Sequence, residues 1–176
     1  MFYKENIQKT CGFYVSDFHL VTMLLPHIVT EIEKGTTIDA ISEKNIKNEV
    51  KEVISRLNIN DITRAKILNI NWNKINNNDF NSIKYYLDKI IEEKDNIEII
   101  INGSKKYIDV INKNIGYWID INMDKIANKK INIISCYEIY EFNNNINNIL
   151  NENNYMINTS GIKDIESIYE KRRKAV

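Results

Sequence analysis

The stretch Lys130–Glu138, KINIISCYE, constrains the fold of this chain more than any other. A near-continuous Ile run closed by cysteine, tyrosine and a carboxylate has the composition of a parallel strand buried on both faces. Its polar residues stand where such a strand reaches the carboxyl edge of its sheet. A helical pattern follows at once from Phe142. Open α/β sheets place ligands outside that carboxyl edge, so one segment predicts both an architecture and the place of a site. It names no reaction.

Strand-like and helix-like segments alternate along the rest of the chain. The pattern predicts strands at Cys11–Val15, Thr36–Ser42, Ala65–Ile70, Glu98–Ile101, Lys130–Glu138 and Tyr155–Asn158, the last suited to a sheet edge. The first long helix spans Phe18 to Ile32, with Ser16 or Asp17 as cap and Gly35 as its stop. Pro26 removes the hydrogen bond to Thr22 and predicts a kink, or two shorter helices. Further apolar stripes run through Ile46–Leu57, Phe80–Ile91, Ile108–Ile115 and Phe142–Leu150, with a short helix near Asn122–Asn128. A C-terminal helix is expected at Ile162–Lys174, ending in the basic run KRRK, whose charge complements a helix dipole more readily than it marks a phosphate or acidic-partner site. This alternation predicts one three-layer α/β domain over residues 1–176, a mostly parallel sheet with helices on both faces. All six strands are expected to run the same way, their tips forming a common mouth.

Several classes of function are disfavoured. Lys+Arg and Asp+Glu balance at 24 each, without the basic excess of a dedicated nucleic-acid binder. No apolar run approaches membrane-spanning length, and MFYKENIQKT has no signal-peptide core, so a cytoplasmic protein is expected. Cys11 and Cys136 read as small buried residues on central strands rather than as a disulfide. The abundance of Ile and Asn fits an AT-rich coding bias, which makes many Asn uninformative.

The strand–helix start raises nucleotide binding, yet Tyr14 to Thr22 holds neither glycine nor lysine to cradle a phosphate, and no GxGxxG is present. His19 and His27 could share a helix face but have no cysteine nearby to complete a zinc set. GxSxG is absent, and nothing in the spacing pairs a cysteine with a histidine. The expectation is of no cofactor and no metal.

The order of segments resembles the MEDS domain, the methanogen/methylotroph DcmR sensory domain, similar in plan to the RecA/KaiC-like sheet without its phosphate loop. Lys9-Thr10-Cys11-Gly12-Phe13-Tyr14 is similar to that family's HxCxFY strand, with lysine for histidine. Glu33-Lys34-Gly35 and Ser42-Glu43 match the glycine-ended helix and the Ser/Glu strand end. Ile134-Ser135-Cys136-Tyr137-Glu138 with Phe142 resembles ICQYDxxxF, with Ser135 and Glu138 in place of cysteine and aspartate. Asn153-Asn154 stand where the family often has His-Pro. The resemblance covers about Lys9 to Gly161. It implies a sensory domain rather than an enzyme, taking a small hydrocarbon-derived molecule and serving a transcription regulator or histidine kinase. With no room for an output domain, a stand-alone sensor is expected, and a homodimer is compatible with it.

Parallel strand ends would gather Tyr14, Ser42, Glu43, Trp72, Asn102, Ser104, Tyr137 and Glu138 on one rim, with Ser16 and Asn71 beside them. In the ligand reading, Trp72 and Tyr137 supply apolar area while Glu43 and Glu138 accept hydrogen bonds or balance a cation. The bland alternative is that these are helix caps and core. Two competing functions remain at this point: a ligand-free adaptor docking a kinase or transcription factor, and, last, a degenerate NTPase.

Overall fold

The computed structural model describes residues 5–75, 79–93 and 95–168. It is an α/β structure whose six-stranded sheet has the order β2-β3-β4-β1-β5-β6. The strands are β1 (Ile7–Tyr14), β2 (Thr37–Ser42), β3 (Asn96–Gly103), β4 (Lys130–Glu138), β5 (Tyr155–Asn158) and β6 (Gly161–Asp164). β1 to β5 run parallel, and β6 turns back antiparallel on β5. The helices are α1 (Asp17–Glu33), α2 (Lys47–Ser55), α3 (Asp61–Asn69), α4 (Phe80–Glu93), α5 (Lys105–Ile121), α6 (Met123–Ile126) and α7 (Phe142–Asn151).

Right-handed crossovers explain the layers. The connection from β1 to β2 runs outward across β4 and β3, whereas those from β2 to β3, β3 to β4 and β4 to β5 run back the other way. α1 therefore falls on one face and α4, α5 and α7 on the other, while α2 and α3, the first helices of the β2–β3 connection, stay on the α1 side. Leu20, Leu24, Ile28, Val50 and Ile67 of α1–α3 pack on Ala40, Ile100, Ile134 and Cys136. Ile83, Leu87, Ile111, Ile115 and Ile149 of α4, α5 and α7 pack on Ile99, Ile101, Ile131 and Ile133. Strand β4 lies between both clusters, as its Ile-rich composition predicts.

Three elements depart from expectation. Ala65–Ile70 is not a strand: it lies largely in α3, where Asn60 accepts from the Thr63 amide and starts the helix. Thr63, Ile67 and Ile70 then share its buried side. The predicted C-terminal helix gives way at Gly161–Asp164 to strand β6, and residues 165–168 are helical. The remainder of that prediction, including KRRK, lies outside the described residues. Not all strands point the same way, because β6 is antiparallel.

Helix α1 is a single helix through Pro26, not two. Its end has the Schellman pattern: the Gly35 amide donates to the Ile32 carbonyl and the Thr36 amide to that of Glu31, with Gly35 at φ 87°. Pro26 is exposed, so its ring adds no core packing. An interior helical proline costs about 3 kcal/mol relative to alanine, against about 0.4–1 kcal/mol gained by stiffening the unfolded chain. Pro26→Ala is therefore expected to raise stability by roughly 2 kcal/mol, read as a higher midpoint in urea unfolding.

Candidate functional site

Strands β1 and β4 are neighbours whose outgoing connections cross opposite faces of the sheet, which makes their carboxyl ends the topological switch point. Tyr14 and Glu138 are register partners there. Ser42 of β2 and Asn102 of β3 are partners on the same edge. Local capping fixes the backbone around them. Ser16 accepts from the His19 amide, and the His19 ring Nδ1 accepts in return from the Val15 amide at 3.1 Å.

Seven of the eight expected residues, all but Trp72, lie at the strand ends on this edge. Asn102 Nδ2 donates to Ser42 Oγ at 2.8 Å, and the Glu43 amide donates to the Asn102 carbonyl at 3.0 Å. The Glu43 carboxylate accepts from the Ser104 amide at 2.6 Å and from Ser104 Oγ at 3.1 Å. It thereby sits at the N-terminus of α5, where the helix dipole favours an anion. Glu138, almost buried, pairs with Lys44, which reaches across from the loop after β2. That hydrogen bond, and then the attraction of the same carboxylate, hold the Lys44 ammonium above its usual range. Burial first, and the Glu138 charge second, push the Tyr14 phenol far up, so it stays protonated.

Trp72 and Tyr137 do not supply the apolar surface expected of them. Both are 1% exposed. Trp72 is packed among α1, α2 and α3, its indole donating to the Ile67 carbonyl at 2.8 Å. Tyr137 lies on the opposite face from Tyr14, its ring 5.9 Å from that of Phe13. Asn71 turns away to Asp39 and Tyr86 and lines a separate groove of about 570 Å³ beside β2.

The apolar surface at the switch point comes instead from residues that sequence reasoning passed over. Val15 and Phe18 follow β1, and Ile139 and Tyr140 follow β4; their exposures are 67, 44, 42 and 61%. All four follow the adjacent ends of β1 and β4, where Glu138 pairs with Lys44. The only signal in the sequence is their place just past each strand, since exposure depends on what fails to cover them.

Gly103 makes room for the Glu43 carboxylate. It has φ +150°, and a Cβ there would stand 2.5 Å from Glu43 Oε2. Gly103→Ala is expected to cost about 1–3 kcal/mol through backbone strain and to displace Glu43 from Ser104. Loss of amide protection at Ser104 in hydrogen exchange would register the displacement; unchanged protection would contradict it.

Neither cysteine offers a thiolate. Both are fully buried, and burial pushes the Cys11 thiol up to about 12 and that of Cys136 higher. His19 and His27 are used separately, His19 at the α1 cap and His27 against Glu98. Among the described residues no three His, Cys, Asp or Glu side chains cluster to hold a metal ion, and no helix is long and apolar enough to cross a membrane. The chain matches no protein-family model, no curated protein and no solved structure.

Proposed function

We propose that this chain is a cytoplasmic sensory domain that binds a small apolar or hydrocarbon-derived ligand at the switch point and signals to a transcription regulator or histidine kinase. One observation carries the reading: four exposed apolar side chains follow the adjacent ends of β1 and β4, where the nearly buried Glu138 carboxylate pairs with the half-exposed Lys44, at the edge where α/β sheets take ligands. Val15, Phe18, Ile139 and Tyr140 supply area for an apolar body, and Glu138 with Lys44 orients a polar end. The buried, protonated thiols and phenol favour binding over nucleophilic chemistry.

The same patch favours a second reading, a ligand-free adaptor that docks a protein through it. Phe18→Ser/Tyr140→Ser removes exposed apolar surface at little cost to folding. In a thermal-shift screen of small metabolites, a ligand at 100 times its Kd adds about 2.7 kcal/mol to the parent chain. The double variant is expected to lose that rise. No stabilising metabolite, together with capture of a regulator by the parent chain but not the variant, would select the adaptor; a ligand-induced rise intact in the variant would place binding elsewhere.

A further inference from the structure

We propose a second binding site, for small primary amines, at the amino end of the sheet and remote from the switch point. A groove of about 530 Å³ opens there beneath α1, between the first residues of β3 and β4 and the edge strand β6. Glu98 forms part of its wall and is 2% exposed. His27 Nε2 and Asn132 Nδ2 both converge on Glu98 Oε2, each at 2.8 Å. Thr10 and Gln8 extend the polar chain behind Asn132, at 3.2 and 3.3 Å. Glu98 Oε1 is buried and has no hydrogen-bond partner among the described residues.

Buried carboxylate oxygens without a donor are costly and rare in folded proteins. The two described side chains that reach Glu98, His27 and Asn132, are both on its other oxygen, which leaves Oε1 to a donor entering from the groove. Charge selects its class. The walls carry three carboxylates, Glu5, Glu31 and Glu98, against two ammonium groups, Lys34 and Lys130. Lys34 is held by Glu31 at 2.8 Å. An ammonium group supplies N–H donors and positive charge together, and charge-assisted bonds of this kind are the strong ones. Ile97, Ile131 and Ile162 line the same groove and fit a short aliphatic stem.

The test is an NMR titration with n-butylammonium, following the amides of Glu98 and Asn132, with sodium butyrate at equal ionic strength as control. Saturable shifts are expected for the amine and none for butyrate. Glu98→Gln keeps the shape of the side chain and removes its charge, and should weaken binding at least tenfold. Ile162→Trp fills the groove mouth from the edge strand without touching Glu98, and should abolish the shifts. Ile162→Trp decides alone if Glu98→Gln does not fold. The proposal is overturned if the amine gives no saturable shift, if butyrate shifts the amides equally, or if a folded variant binds as tightly as the parent. The Phe18→Ser/Tyr140→Ser variant should bind butylammonium unchanged, which separates this site from the switch point.

Discussion

Trp72→Ala is expected to cost about 3–5 kcal/mol, the range for truncating a fully buried aromatic. The ring fills the space among three helices, and nothing in so closely packed a cluster can collapse to replace it. Its removal also takes the indole donor from the Ile67 carbonyl. A loss of that size is a large part of a typical domain's 5–15 kcal/mol, and lowers the melting temperature by on the order of 10 °C. Circular dichroism melts of parent and variant read it directly. A shift of a degree or two would mean that Trp72 faces solvent, as a pocket wall would.

Stability is expected to collapse in mild alkali. Burial is the leading cause that raises the thiols of Cys11 and Cys136 and the phenols of Tyr14, Tyr107 and Tyr137; Tyr107, also facing Glu43, reaches about 12. Each group keeps its proton in the folded chain and gives it up near its ordinary value once unfolded. The folded state is thus unaffected below the ordinary values, 9.0 for the thiols and 10.0 for the phenols, and loses ground as pH climbs past them. Each contributes a slope of about 1.4 kcal/mol per pH unit, so the five together remove roughly 10 kcal/mol by pH 11. Urea midpoints measured from pH 8 to 11 should fall steeply above pH 9. A flat series would show that these side chains are solvated.

How much of this was legible beforehand depends on the kind of signal. Lys130–Glu138 is a strand over the range read from its composition, because a central strand carries its burial in every residue. The apolar pattern predicts β1 only from Cys11, since Gln8 and Lys9 break the run; pairing with β4 and the Thr10–Asn132 bond hold Ile7–Thr10 in the sheet. Ala65–Ile70 misled because a short apolar run fits either period, and the deciding residue, Asn60, lies upstream as a cap. At the switch point, Tyr14, Ser42, Glu43, Asn102, Ser104 and Glu138 were legible as strand ends, which parallel topology gathers whatever their identity. Which aromatic is inside was not. Tyr137 and Glu138 are adjacent in sequence, and the alternation of a strand sends them to opposite faces.

The antiparallel turn from β5 to β6 governs how the molecule behaves toward its own copies. Five strands running one way would leave the far side of β5 as an open row of amides and carbonyls, ready to template another chain. The four-residue β6, with Lys163 and Asp164 exposed along it, occupies that row with a partner too brief and too charged to be extended in turn. The hairpin thus guards that flank, and trimming the chain before Gly161 would bare β5 as an unpaired edge able to pair with another chain.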